Sequence, residues 1–408
     1  MTALSKTVEV PLVRARPQAE ASRLPALDAL RAVGAIAVVA THVGFNTGAS
    51  MQGYWGGFLA RLDSGVAIFF SLSGFLLFRP FAMAAATGGK RPGVRRYLWR
   101  RALRILPAYW LSVVAYLLLV PQNTPITRAR WVEHLTLTQI YQTWGLRSAL
   151  GHTWSLCTEV AFYVVLPLAA ALALRGRRRA GRPLHILAVS AAITVSWIAL
   201  IGAGVLSASR HTTWLPSYAL WFGAGMALAS AHVSLRNGYL PRWRFLDDLG
   251  RAPLACWTAA LAVLAIATTS LAGPRDLSEP TATQFGFKVI AYAVVASLVV
   301  LPIAFGPQTR AKAVLGSGTA RWLGVVSYGL FLWHPFVLEM LFVVTGRPEF
   351  TGDFLPTYLV TVAVGLILAS LNYYLVERPF LRLGHRRPRP PVSTTESQSA
   401  TPAPTAVS

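Results

Sequence analysis

Long apolar runs recur along the chain of 408 residues, separated by gaps too short to build a soluble core of their own. A helix needs roughly 20 apolar residues to cross the hydrocarbon of a bilayer. At that depth only helices and closed barrels satisfy their own backbone hydrogen bonds. Runs of this length lie near 27–47, 62–86, 97–120, 154–174, 184–206, 214–232, 253–272, 284–306, 320–345 and 355–380. They predict an all-α, polytopic integral membrane protein with about ten transmembrane helices, and the number ten depends on the run at 214–232. Charge supports this reading: 13% of the residues are Asp, Glu, Lys or Arg, against roughly 25% in a soluble domain. Residues 1–24 are expected to be a disordered cytoplasmic arm, 25–383 one membrane domain and 384–408 a disordered tail rich in Pro, Ser and Thr.

The net charge of +23 would point to nucleic acid in a soluble protein. Here the cations cluster in alternate gaps between apolar runs, which instead suits a bilayer with anionic headgroups and no nucleic-acid partner. Lys90, Arg91, Arg95 and Arg96 form one group, Arg175 to Arg182 a second, and Arg236 to Arg251 a third. Arg382 to Arg389 follow the last run. The remaining gaps hold few cations, so both termini are expected in the cytoplasm, as an even number of spans requires. The first residues lack the apolar segment and small-residue cleavage site of a signal peptide. In the long outer connection, 121–153, Trp131, Tyr141 and Trp144 suit a segment lying at the membrane surface. Cys157 and Cys256 both fall inside apolar runs and read as packing residues.

Ionisable groups at membrane depth are costly and point to a cavity or a partner. They are Asp28, Arg31, His42, Arg79, Arg100, Arg101, Arg104, Glu159, His334, Glu339 and Glu377. Arg31 and His42 are eleven positions apart, so one helix face carries a cation below and an imidazole roughly 16 Å above it. A neutral imidazole there suits removal of a proton from a hydroxyl. The alternative is an arginine that snorkels to the headgroups and a histidine that packs. Arg101 and Arg104, three apart, share a face and can fork onto phosphate oxygens or simply anchor the span. Arg79 fits either role. Glu159 is placed at the depth of His42, where it can orient the imidazole, bind an acceptor or neutralise an arginine. His334 reads as a core histidine beside the Pro335 kink, with a second base as the other reading. Glu377 reads as a helix-end ion pair. The run GVAIFFSLSGFLLF, 65–78, offers small residues for close helix packing. No glycine-rich nucleotide loop and no His/Cys spacing for a metal is present.

Six segments in order, LDALRAVGAIAVVATHVGF (27–45), GVAIFFSLSGFLLF (65–78), RRALRILPAYW (100–110), HTWSLCTEVAFYVVLP (152–167), SYGLFLWHP (327–335) and VERPF (376–380), resemble the membrane acyltransferase family 3. That family includes bacterial O-antigen and peptidoglycan O-acetylases and macrolide acyltransferases. The resemblance implies a multi-pass protein of the bacterial plasma membrane that uses cytoplasmic acyl-CoA, often acetyl-CoA, to acylate a hydroxyl-bearing acceptor. The acceptor can be a glycan, a lipid-linked sugar or a macrolide-like compound. Arg31 and His42 match the family's Arg, ten residues, His pattern and are implied in catalysis and donor handling. Arg101 and Arg104 match its paired arginines. Glu159 matches the first of two consecutive acids, but Val160 replaces the second. No extracytoplasmic hydrolase-like domain of the kind fused in some relatives is present in this sequence.

The expected mechanism is direct transfer, with the phosphates of acyl-CoA near Arg101 and Arg104, and His42 deprotonating the acceptor hydroxyl. Cys157 is the one thiol near that depth, and nothing in the sequence marks it as activated. A transporter or lipid flippase is the rival from another class, but the chain lacks the paired broken helices of alternating access. A non-catalytic membrane scaffold is a third reading.

Overall fold

The computed structural model describes residues 24–123, 125–142, 150–175, 182–239, 244–276 and 278–385. The expected arm and tail lie outside these residues, apart from a residue or two at their inner edges, and so does Trp144. Ten long helices follow the ten apolar runs: α1 (Pro25–Asn46), α2 (Gly65–Thr87), α3 (Val94–Leu119), α4 (Trp154–Ala173), α5 (Pro183–Gly202), α6 (Ala219–Arg236), α7 (Pro253–Ala267), α8 (Ala282–Phe305), α9 (Gly318–Thr345) and α10 (Phe354–Asn372). No strand occurs among the described residues. Eight of these helices, some with a short flanking helix, are long and apolar enough to cross a membrane. A ninth span arises if Phe245–Arg251 and α7, bent by 92°, count as one.

The remaining helix, α6, is the run at 214–232 on which the number ten depends. It is buried along most of its length, with Leu220 to Ala227 and Ala229 to Ser234 all inside. A helix wrapped by protein has no need of a lipid-facing surface, so Gly, Ala, Ser and His replace Leu and Ile. The outer helices are the reverse: α5 and α10 expose Leu184, Val195, Leu355, Leu359 and Ile367. Such a belt marks a lipid-facing surface, and the chain is a multi-pass membrane protein.

Small residues set the approach of the central helices. A Cβ added at Gly74 of α2 would lie 2.1 Å from the carbonyl oxygen of Phe222, and one at Gly225 of α6 would lie 1.9 Å from that of Ser71. Only glycine permits this backbone contact. Gly324 does the same for α9, where a Cβ would fall 2.2 Å from the carbonyl oxygen of Asp28 on α1. These contacts hold α2 against α6 and α9 against α1; α1 also packs on α2, and α4 on α2 and α3.

Five long helices carry an internal proline, and that of α9, Pro335, shapes the site. Proline has no N–H, so the carbonyl of Phe331 loses its helical donor. The next rung is broken as well. The hydroxyl of Tyr116, from α3, donates to the carbonyl of Leu332 at 2.8 Å and accepts from the N–H of Phe336 at 2.8 Å. A side chain from a neighbouring helix is thus wedged into the ladder of α9 beside His334. Further along, a single π-helical turn at Tyr373–Glu377 follows α10, and Glu377 is buried.

Candidate active site

Two cavities lie between α1, α2, α4 and α9. The inner one, about 510 Å³, is lined by Arg31, Arg101, Arg104, Glu159 and Tyr163 among others. The outer one, about 440 Å³, is lined by His42 with Thr41, Asp63, Trp154, Trp221 and Lys288 among others. Arg31 and His42 therefore project from one helix into two chambers, the cation into one and the imidazole into the other. Val66, Ser155 and Phe331 line both.

His42 is held by a residue 292 positions away. Its Nδ1 lies 2.7 Å from Nε2 of His334, and the planes of the two rings are within 11° of parallel. The Nδ1 of His334 lies 3.1 Å from the carbonyl oxygen of Leu330. A carbonyl only accepts, so His334 carries its proton on Nδ1, and its Nε2 is an acceptor when the ring is neutral. His42 must then donate from Nδ1. In neutral His42 the lone pair is therefore on Nε2, which makes no hydrogen bond among the described residues. His152 completes the cluster, with its ring centroid 5.6 Å from that of His334 and 5.2 Å from that of Phe331. Neither the partnership of His334 nor the place of His152 was legible in the spacing, because each depends on which helices neighbour α1.

The inner cavity collects the cations. Arg101 and Arg104 both line it, as their shared face requires, whereas Arg100 points elsewhere and donates to the carbonyl of Gly384 at 3.4 Å. Arg104 is tied down: its guanidinium lies 2.9 Å from Glu377, which also accepts from Asn372 at 3.0 Å, and 5.8 Å from the centroid of the Tyr328 ring. Glu377 is thus an ion pair at a helix end, as its position suggested, and its partner is a wall of the cavity. Arg31 pairs with Asp28 at 3.1 Å, one turn before it. Arg101 has no ion-pair partner among the described residues, and its Nε is buried without a hydrogen bond.

Two of the expected placements differ. Glu159 does not reach His42: it lines the inner cavity, where it accepts from Ser73 and, at 2.8 Å, from the hydroxyl of Tyr163. The orienting group behind the imidazole is His334, and Glu159 is the one carboxylate of the cationic chamber's α4 wall. Ser155, which lines both cavities, is one turn above it; a turn of 5.4 Å is enough to move a side chain from one chamber to the other. Arg79 lines neither cavity. It lies near Arg236 and the buried ring of His232, on the other side of α2.

The outer cavity holds residues that the sequence did not single out. Lys288 pairs with Asp63 at 2.6 Å, and Asp63 also accepts from the hydroxyl of Tyr292. Arg61 is 2% exposed and donates to the carbonyls of Ala267 at 2.8 Å and Gly273 at 2.5 Å, fastening the turn after α7 over the chamber. Trp154, Tyr218 and Trp221 form an aromatic wall, with Trp154 and Tyr218 ring centroids 5.0 Å apart.

The chain matches the family model described as "Acyltransferase domain" over residues 24–373. It is 27% identical over 384 residues to YrhL of Bacillus subtilis, provisionally named a peptidoglycan O-acetyltransferase, covering 89% of this chain and 56% of that protein. To the peptidoglycan O-acetyltransferase OatA of Listeria monocytogenes it is 23% identical over 380 residues, covering 88% of this chain and 56% of the relative. To the O-acetyltransferase OatA of Staphylococcus aureus it is 22% identical over 384 residues, covering 89% and 58%. The chain thus spans a little over half the length of these relatives. No solved structure matches it. The match over residues 24–373 takes in all ten apolar runs but the end of the last, together with the outer cavity and all of the inner one but Leu381; the chain belongs to the membrane acyltransferase family 3.

Proposed function

We propose that this protein moves an acyl group, acetyl in the simplest case, from cytoplasmic acyl-CoA to a hydroxyl of a glycan or similar acceptor. The observation that carries the reading is the division of labour between the chambers. Guanidinium groups line one, a tautomer-fixed imidazole lines the other, and three residues separate them.

The phosphates of the donor suit Arg101, Arg104 and Arg31, because guanidinium groups make bidentate, charge-assisted bonds to phosphate oxygens. The thioester then extends toward the constriction and the acceptor enters the outer cavity. Nε2 of His42 takes the hydroxyl proton as the oxygen attacks the thioester carbonyl. A C–O bond forms, the C–S bond breaks, and the imidazolium returns the proton to the leaving sulfur, giving an ester and free CoA. His334 supports the charged intermediate by accepting from Nδ1–H of His42, the part that a carboxylate takes in other base-orienting pairs. Glu159 acts among the cations of the donor chamber. The aromatic wall and the Asp63–Lys288 pair suit a polar, hydroxyl-rich acceptor, and the names of the relatives, which include peptidoglycan O-acetyltransferases, support a glycan.

The test is label transfer in proteoliposomes. With acetyl-CoA labelled in the acetyl group outside and a soluble glycan acceptor inside, label is expected in an ester that alkali releases. Solute or lipid movement with no label on any acceptor would favour a transporter and contradict the proposal.

A further inference from the structure

We propose that Phe331, together with Val66 and Ser155, is the gate between donor and acceptor chambers and sets the length of the acyl group transferred. This rests on the acyl-transfer reading above and adds to it the residues that choose the donor.

The three residues are the ones that line both cavities. All are nearly closed off, at 8% exposure for Val66, 7% for Phe331 and 4% for Ser155. A donor whose charged end is held by Arg101 and whose carbonyl is attacked by a hydroxyl beside His42 must present its acyl group where they meet. Ser155 turns its hydroxyl away to the carbonyl of His152 at 3.0 Å, so the boundary between the chambers is chiefly a ring and a branched aliphatic chain. Phe331 is the larger. Its ring packs edge-on to Phe69 on the donor side, at 6.0 Å between centroids, and to His152 at 5.2 Å. It also lies three residues before His334, which holds the base. The carbonyl of Phe331 faces Pro335, which has no N–H to offer, so the helix is less constrained there than in an unbroken ladder. An acyl chain longer than acetyl must displace this ring, and the displacement is transmitted to the histidine pair. A single methylene in a tight apolar pocket changes turnover by about 10- to 200-fold, so a ring at this position is enough to select donors.

The experiment measures kcat/KM in proteoliposomes for acetyl-, butyryl- and octanoyl-CoA with wild type, Phe331→Ala, Phe331→Leu, Phe331→Trp and Val66→Ala. Gel filtration and thermal unfolding report assembly, and Phe331→Leu and Val66→Ala decide the matter should the larger truncation not assemble. Wild type is expected to favour acetyl. The truncations at 331 and 66 should shift the butyryl-to-acetyl ratio toward butyryl by about tenfold or more, while Phe331→Trp should slow even acetyl. An assembled truncation with the wild-type chain-length profile overturns the gate while leaving acetyl transfer in place. No acyl transfer by wild type from any donor overturns the acyl-transfer reading, and the gate falls with it.

Discussion

The Nδ1 of His42 donates across 2.7 Å to Nε2 of His334, and the 3.1 Å contact of His334 with the carbonyl of Leu330 decides the direction of that bond. The pair makes His42 the group with a lone pair to offer and His334 a positioning residue. His334→Ala is expected to lower kcat about 10- to 100-fold with the donor KM unchanged, less than the about 10²- to 10⁴-fold of losing the base itself, because His42 remains. His334→Gln, whose amide oxygen can accept from Nδ1–H, should recover part of it. Steady-state kinetics at varied acyl-CoA separates this from a packing role, which would leave kcat intact in both variants.

Arg101 and Arg104 line the same chamber but differ in what holds them. Arg101→Ala should raise the KM for acyl-CoA about tenfold to a hundredfold, the worth of a charge-assisted hydrogen bond, with little change in thermal unfolding. Arg104→Ala should raise KM and also lower the unfolding temperature, because it strands the buried carboxylate of Glu377. Glu377→Gln in the Arg104→Ala background should restore part of the stability and none of the donor affinity. Thermal scans of the detergent-solubilised variants beside their kinetics check this.

The helices were legible because lipid imposes a length and an apolar composition on each span, and the i, i+3 face of Arg101 and Arg104 follows from helix geometry alone. Even α6, buried in protein, kept enough Ala, Leu and Phe to be placed. What a single span cannot reveal is its azimuth relative to its neighbours. Nor does it fix depth to within a turn: Glu159, expected level with His42, lies one turn below Ser155 and reaches only the inner cavity, beside Ser73 and Tyr163. Arg79, expected to join either role, is on the side of α2 away from the inner cavity. His334 was read as packing beside Pro335 because its partner is 292 residues away. Asp63 lies in the turn before α2 and Lys288 on α8, and only folding makes them a pair.

Tyr116 replaces a missing rung in α9, so Tyr116→Phe should leave the N–H of Phe336 and the carbonyl of Leu332 without that partner. A buried polar group left unsatisfied costs about 1–3 kcal/mol. The unfolding temperature should fall, and kcat with it, since His334 lies in the loosened turn. Circular dichroism melts and turnover of the same preparation check both.

Gly74 and Gly225 let α2 and α6 touch backbone to backbone. Gly74→Val or Gly225→Val should therefore cost more than the about 1–3 kcal/mol of ordinary overpacking, since the nearest atoms are carbonyl oxygens that cannot rotate away. The expected outcome is loss of the monodisperse gel-filtration peak at wild-type expression, whereas Gly318→Ala, at the exposed start of α9 with open space around it, should keep the peak.

Turnover of labelled acetyl-CoA by His42→Ala, in proteoliposomes matched to wild type for protein content and thermal stability, tests the proposed chemistry most directly. The imidazole as general base predicts a fall of about 10²- to 10⁴-fold in kcat with the donor KM retained, because the cations of the inner chamber are untouched. Wild-type turnover by this variant would contradict it.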